Sequence, residues 1–326
     1  MRRKWSLFIS VIFLAVGVVV PLALGASYPT RPVELYIPYA PGGTSDLIGR
    51  LIADTAQKYL GQPLVMVNKP GGGGSVAAAS LISSKPDGYK VVMLATNFFG
   101  GTIFTQKVPF GPDDLVPIAN FIQYKEALAV KSDAPWKTLA DLLDYAKKKP
   151  GALRWGHPAG RGAPLFMNMY LILRKAGVTG IEVPYQGSGL LLNALLGGHI
   201  DVSSSSFGAM RESERAGKIR YLVSYGPKRY GETPNLPTAA ESGFPEVGAL
   251  NGFVGLYVHK NTTAEIRKAL FDALKKTFDD PGFQKRLDTF GEEPLFAGPE
   301  FITGEINTYR KVAIPILKEF GLYEGK

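Results

Sequence analysis

Residues Tyr39 to Asp46 form the stretch of this sequence best suited to binding an anion. They lead through the pair Gly42-Gly43 into an amphipathic helix that begins at Thr44 or Ser45. The first N–H groups of a helix have no partner inside it, and the helix dipole adds positive potential there. The backbone could therefore bind a carboxylate or phosphate at this point. The alternative is an ordinary strand-to-helix turn, in which glycine serves only the backbone angles.

Other polar and glycine-rich stretches point to weaker candidates. The loop predicted at Asn97–Thr102 follows an apolar strand, and ligands in open α/β sheets bind outside the carboxyl ends of strands. It is a second candidate wall, although its two phenylalanines could simply cover the core edge. A dinucleotide fingerprint is nearly matched at Gly72, Gly74 and Ala77, but the next strand does not end in the acidic residue that a ribose requires.

Composition excludes several kinds of chemistry. The chain has no cysteine and three histidines, which are scattered, so the sequence offers no disulfide, thiolate nucleophile or metal-ligand spacing. A secreted hydrolase could draw on the serines of 203–206 and on His157 or His199, but the G-x-S-x-G elbow is missing. We therefore predict a protein that is not an enzyme and needs no cofactor and no metal.

The N-terminus reads as an export signal. Three basic residues precede an apolar run from Leu7 to Leu24, and small residues follow at Gly25 and Ala26. We expect residues 1–26 to be a signal peptide, with an uncleaved anchor as the alternative. Without this segment, 34 basic side chains stand against 28 acidic ones. That excess is small and not clustered with aromatic residues, so no nucleic-acid partner is expected.

The elements that must position these loops alternate between strands and helices, which favours parallel sheets. Extended segments at Ala127–Lys131 and Phe253–Val258 enclose a block of about one domain's length. We predict two hinge crossings at these segments and a cleft between two lobes. Lobe 1 would comprise residues 27–126 and 252–326, and lobe 2 residues 127–251.

Eight short motifs, in this order, resemble the extracytoplasmic solute receptors of the tripartite tricarboxylate transporters, the Bug family. The resemblance runs over essentially the whole chain after residue 26. The motifs are Tyr28-Pro29-Thr30-Arg31-Pro32-Val33, Pro38 to Asp46, Leu60-Gly61-Gln62-Pro63, Asn68 to Gly74, Pro86-Asp87-Gly88-Tyr89, Val183 to Gly187, Leu196 to Asp201 and Leu236 to Gly243.

The resemblance implies an α/β periplasmic binding protein of the type II kind. Each lobe would be a mostly parallel sheet flanked by helices, and the lobes would close on a small carboxylate-bearing acid. The partners would be a large and a small membrane subunit of a transporter, with the receptor itself a monomer. The implied ligand-binding residues are Tyr39, Ala40, Pro41, Gly42, Gly43, Thr44, Ser45, Asp46, Asn97, Gly160, Arg161, Gly162, Ala163, Tyr185, Gly187, Ser205 and Phe207.

Two departures from the family pattern bear on the ligand. The helix after the second-lobe glycine loop usually starts with a hydroxyl residue followed by a histidine, whereas residues 162–167 are apolar here. The family also has an asparagine–proline pair after the third-strand loop, and this chain has Thr102-Ile103-Phe104 near that position instead. A more apolar or aromatic acid therefore becomes plausible, and Arg161 could compensate as a carboxylate partner or point into solvent. A sensory receptor would need the same cleft, so the sequence does not separate signalling from transport.

Overall fold

The structure, a computed structural model, describes residues 28–248, 250 and 252–324. The predicted signal peptide and its cleavage site lie outside the described residues. The strands are β1 Val33–Ile37, β2 Leu64–Asn68, β3 Lys90–Ala95, β4 Leu115–Gln123, β5 Glu126–Lys131, β6 Leu153–His157, β7 Gly180–Pro184, β8 Val202–Ser206, β9 Ile219–Ser224, β10 Phe253–His259 and β11 Glu293–Ala297. The helices are α1 Thr44–Leu60, α2 Ser75–Ile82, α3 Thr96–Gly100, α4 Leu139–Lys148, α5 Pro164–Lys175, α6 Ser188–Leu196, α7 Phe207–Arg215, α8 Ala264–Asp279, α9 Pro281–Leu287 and α10 Pro299–Glu319.

The strands form two sheets of related topology. The first has the order β2-β1-β3-β10-β4-β11, and the second has the order β7-β6-β8-β5-β9. In each sheet the three leading strands are parallel in the order second, first, third, and an antiparallel strand comes next. That antiparallel strand, β10 or β5, is the one that arrives from the other lobe. The predicted two-lobe α/β class is confirmed, with both sheets mixed because of these arriving strands.

The chain passes between the sheets at residues that lie beside each other. The first passage is Tyr124–Lys125, between β4 and β5, and the second ends at Gly252, just before β10. The Tyr124 N–H donates to the Gly252 carbonyl at 2.8 Å, which ties the two passages together. The segments predicted as crossings are themselves central strands, so the connecting residues precede them.

Helix α10 is a third connection between the lobes. Ile302 and Ile306 in its first half belong to a core cluster of the first sheet. Ala313 and Leu317 in its second half belong to the core cluster of the second sheet. Pro315 lies inside the helix and cannot donate the hydrogen bond that a helical N–H normally makes. One continuous helix therefore packs against both lobes.

The local sequence explains most of the helix boundaries near the cleft. Helix α1 starts after Gly43 and ends at Gly61, whose φ of 71° is the left-handed conformation that favours glycine. The loop predicted at Asn97–Thr102 is wrong, because helix α3 covers its first four residues. Phe98 and Phe99 are buried there, and the Phe99 ring lies 4.6 Å from that of Tyr257. Among the described helices, none is long and apolar enough to cross a membrane.

Candidate functional site

The two lobes are in contact along the cleft. The Ala40 N–H of the first lobe donates to the Gln186 carbonyl of the second at 2.7 Å. The hydroxyls of Thr44 and Ser206 share a hydrogen bond of 2.7 Å. These bonds join the glycine loop before α1 to the starts of α6 and α7, so the structure represents a closed arrangement.

Glycines permit this close approach. A Cβ atom at Gly162 would overlap the backbone of Gly101 in the opposite lobe, and one at Gly101 would overlap the Gly162 carbonyl. A Cβ at Gly73 would lie 2.8 Å from the Gly160 nitrogen, closer than real Cβ atoms come. The Tyr309 hydroxyl in α10 also donates to the Gly162 carbonyl at 3.0 Å. Backbone therefore meets backbone across the cleft, and no side chain larger than hydrogen fits between.

A cavity that opens to solvent remains between the lobes. Six residues predicted as ligand contacts line it: Tyr39, Gly43, Thr44, Ser45, Asn97 and Ala163. Nine further residues complete the lining: Ala95, Tyr124, Glu126, Pro158, Ala159, Pro164, Leu165, Ser188 and Ser206. The lining is mostly apolar in area and contains no lysine, arginine or histidine among the residues that the structure describes.

Helix N-termini from both lobes converge on this cavity. Helix α1 contributes Thr44 and Ser45, α5 contributes Pro164, α6 contributes Ser188, and α7 begins directly after Ser206. Within the described chain, the N–H groups of Thr44 and Ser45 donate to no protein acceptor. Several positive helix ends around one apolar space favour a bound anion without a cationic side chain.

Asp46 holds the glycine loop in place from behind. Its carboxylate accepts a hydrogen bond from the Gly42 N–H at 3.1 Å, and also binds the Arg50 guanidinium and the Asn68 amide. Burial alone would raise the pKa of Asp46, but these donors together hold the pKa below its usual value. The Asn68 amide also donates to the Tyr39 carbonyl at 2.9 Å. Asp46 is therefore charged and positions the loop, and it does not line the cavity.

Four other predicted residues lie at the lobe contact and do not line the cavity. Ala40 makes the hydrogen bond to Gln186 described above. A Cβ at Gly189 would lie about 3 Å from the backbone of Pro41 and Gly42. Gly187 has a φ of 143° and approaches the backbone of Ala40. These residues fit the two loops to each other at the closed cleft.

A neighbouring groove contains Gly160, Arg161 and Tyr185, and it shares Tyr39 with the cavity. The Arg161 guanidinium lies 3.0 Å from the Glu182 carboxylate, and its side chain is 55% exposed. Glu182 also bonds the buried His157 ring at 3.1 Å. Arg161 is thus committed to an ion pair outside the cavity, and the predicted alternative of a carboxylate partner has no support from its position.

The end of β8 places its side chains differently from the prediction. Alternation along the strand directs the Ser206 hydroxyl to the cavity and the Ser205 hydroxyl to the opposite face. Phe207 is the first residue of α7, and its ring stacks on Tyr221 with centroids 4.5 Å apart. Among these three residues, only Ser206 lines the cavity.

Glu126 is the acidic residue among the nine lining residues that the sequence interpretation missed. It is 5% exposed, and no described group donates a hydrogen bond to its carboxyl or pairs with it. Burial, followed by the nearby Glu292 carboxyl, raises the pKa of Glu126 well above its ordinary value. Lys125, the adjacent cation, points away and pairs with Glu232 at 2.8 Å and Glu293 at 3.4 Å. The signal in the sequence that could have identified Glu126 as a cavity residue was a single acidic residue at the start of an apolar strand.

Glu292 joins the hinge to the second lobe. Its carboxyl oxygens accept hydrogen bonds from the Lys125 N–H at 2.7 Å and from the Gly208 N–H, in the first turn of α7, at 2.8 Å. Burial raises its pKa to about 8, although both backbone donors favour the charged form. Among the described residues, no group of three or more histidine, aspartate or glutamate side chains could hold a metal ion.

Comparison with known proteins agrees with this geometry. A family model described as the tripartite tricarboxylate transporter family receptor matches residues 48–321. The UPF0065 protein in gbd 5'region of Cupriavidus necator is 37% identical over 270 residues, which cover 82% of this chain and 81% of that protein. The periplasmic binding protein BugD has a TM-score of 0.84 and 26% identity, covering 91% of this chain and 99% of its own. R. palustris Rpa4515, solved with adipate, has a TM-score of 0.84 and 26% identity, covering 90% and 98%.

Proposed function

This chain belongs to the receptor family of the tripartite tricarboxylate transporters, and from that premise we propose that it captures a small carboxylate-bearing acid between its lobes. The family consists of periplasmic solute receptors, and a neighbour of similar fold was solved with adipate, a carboxylate. Loading would occur outside the cytoplasm, after removal of residues 1–26. The receptor would then act as a monomer and deliver the acid to a large and a small membrane subunit.

The observation that carries the proposal is the set of helix N-termini around a closed cavity that has no lysine, arginine or histidine in its described lining. The carboxylate would lie at the start of α1, against the N–H groups of Gly43, Thr44 and Ser45. Asp46 supports this placement because it fixes the loop without entering the cavity. Binding would depend on backbone N–H donors. The exposed Arg161 lies outside the cavity and would not substitute for them.

Lobe closure would accompany binding, with the passages at Tyr124–Lys125 and Gly252 as the hinge. The backbone contact of Gly101 with Gly162 exists only when the lobes meet. Small-angle scattering with and without saturating ligand should give a smaller radius of gyration for the complex. An unchanged radius, together with an open free state, would contradict hinge closure.

The direct test is a thermal-shift screen of the exported protein against carboxylic acids. A ligand that binds only the folded state raises the melting temperature in proportion to the logarithm of its concentration over Kd. We expect at least one small acid to raise it and the amide of the same acid to leave it unchanged. An equal response to acid and amide would contradict carboxylate binding.

A further inference from the structure

Glu126 is unusual because it places an unpaired carboxyl group in a cavity that otherwise suits an anion. It is 5% exposed and lines the same space as Thr44 and Ser45. No described cation or hydrogen-bond donor reaches its oxygens, and the adjacent Lys125 is held by Glu232 and Glu293. Leaving a charged carboxylate in this state would cost far more than leaving a neutral carboxylic acid.

We propose that Glu126 contacts the ligand as an uncharged carboxylic acid and determines specificity by donating its O–H to a second oxygen of the bound acid. This inference rests on the proposed function and names the ligand class more closely. The ligand would carry one carboxylate at the start of α1 and an oxygen acceptor at its other end. Hydroxy acids, keto acids and dicarboxylates have such an acceptor, whereas simple fatty acids do not.

The surroundings of Glu126 support the uncharged form. Five tyrosines have their ionisation affected by its charge: Tyr39, Tyr124, Tyr225, Tyr230 and Tyr309. Each is mostly or fully buried and has a raised pKa, so all five are neutral near pH 7. The remaining titratable neighbour is Glu292, which shares the burial and repels a second negative charge. A bound anion in the cavity would act in the same direction.

A neutral carboxylic acid has one donor hydrogen, and a buried donor without an acceptor is costly. In the cavity a ligand oxygen can serve as this acceptor, since Glu126 lines the same space as the start of α1. The same hydrogen bond is lost when Glu126 ionises, and a negative charge then stands beside the ligand. Affinity should therefore decrease as pH rises through the ionisation of Glu126, by up to about tenfold per pH unit.

The test is calorimetry with hexanoate, 6-hydroxyhexanoate and adipate, repeated with butyrate and succinate for cavity length. Measurements at pH values from about 6.5 to 8.5 keep every carboxyl group of these acids ionised. We expect the compounds with a second oxygen to bind roughly tenfold more tightly than the simple fatty acid of equal length. Equal binding by hexanoate and adipate, and by butyrate and succinate, would overturn the inference and leave carboxylate binding intact.

Substitutions of Glu126 distinguish the effect of its hydrogen-bond donor from the effect of its negative charge. Glu126→Gln keeps an N–H donor and cannot ionise, so it should bind adipate about as well as the parent does near pH 6.5 and lose the pH dependence. Glu126→Ala should lose the preference for a second oxygen. Glu319→Gln, at an exposed acidic residue at the end of α10, is the matched control and should leave both properties unchanged. A pH dependence that persists in Glu126→Gln would assign it to Glu292 and overturn the inference.

The experiment also separates this inference from the function on which it rests. Failure of every acid to bind the folded parent protein would overturn both. Binding of acids with a pH-independent affinity and no preference for a second oxygen would overturn only the role of Glu126.

Discussion

The cavity has two walls that offer opposite polar groups. The glycine-loop wall, residues 39–46, presents backbone N–H groups at a helix start. The hinge wall, formed by Tyr124 and Glu126, presents a phenol and a buried carboxyl. The first wall suits an anion of any shape, because backbone donors carry no side-chain specificity. Under our proposal the second wall would discriminate among anions, because the Glu126 side chain would contact the far end of the ligand.

In this receptor, affinity and specificity can depend on different lobes. The glycine loop belongs to the first sheet, whereas Glu126 begins β5 of the second sheet. A ligand contacts both walls fully only when the lobes meet. Changes that affect closure should therefore weaken binding of every acid, and changes at one wall should have narrower effects.

The largest effect is expected for Gly162→Ala, which would keep the two cavity walls apart by preventing full closure of the lobes. Its Cβ would overlap the Gly101 backbone, which cannot move as a flexible side chain can. We expect more than about hundredfold weaker binding of all acids by calorimetry. Gly231→Ala, where a Cβ has open space, is the control. Parent-like affinity in a folded Gly162→Ala protein would contradict the need for this contact.

Gly43→Pro tests the glycine-loop wall, and its added Cβ would also lie 3.2 Å from the Ser188 nitrogen across the cleft. Proline removes one N–H and fixes φ near −65°, whereas Gly43 has a φ of −91°. Loss of one charge-assisted hydrogen bond, about 1.5–3 kcal/mol, corresponds to roughly ten- to hundredfold weaker binding. Thr44→Ala keeps the backbone donor and removes only the hydroxyl contact with Ser206, so a few-fold loss is expected. Calorimetry on folded variants would contradict the assignment if Gly43→Pro bound as well as the parent.

The pH dependence of unfolding tests Glu292, the buried acid beside the hinge wall, without a ligand. Its folded pKa of about 8 lies above the ordinary 4.5, so the folded state keeps a proton that the unfolded chain releases. The contribution of Glu292 to stability is therefore fully present below about pH 4.5 and is lost as pH rises towards 8, at roughly 1 kcal/mol per pH unit. Urea unfolding at pH 5.5, 6.5 and 7.5 would measure the slope. Glu292→Gln should make the slope shallower and leave the part that the buried Glu126 contributes, whereas the exposed Glu319→Gln should leave the slope unchanged.

Arg161→Ala should have the smallest effect on acid affinity. That result would exclude Arg161 as a third part of the ligand site. The side chain pairs with Glu182 outside the cavity. Less than about threefold change in acid affinity is expected, because an exposed ion pair contributes about 0–1 kcal/mol. A loss as large as that of Gly43→Pro would instead make Arg161 a direct ligand contact.

The sequence was most informative where local chemistry decides structure. Helix α1 starts at Thr44, one of its two predicted starting residues, because a glycine pair and a helix-starting residue act over a few positions. Helix α3 was missed since its glycines disfavour a helix locally, and its buried phenylalanines stabilise it only through distant partners such as Tyr257.

Glu126 could not be assigned from the sequence for a related reason. Its burial depends on Ser206 across the strand pair and on Gly252, more than a hundred residues away. The raised pKa depends on Glu292, which is still more distant in the chain. Nothing within a few residues of Glu126 marks it as a cavity residue, whereas the glycine loop is recognisable from its own sequence.

Helix α10 has a consequence for how the molecule loses its structure. Its first half completes one hydrophobic core and its second half completes the other, through Ala313 and Leu317. Detaching the helix from either lobe would expose apolar surface in both, so neither lobe can melt while the other keeps its full core. Two sheets joined only by strands could unfold in separate steps. Here the shared helix couples the two cores, so loss of structure in one lobe should destabilise the other.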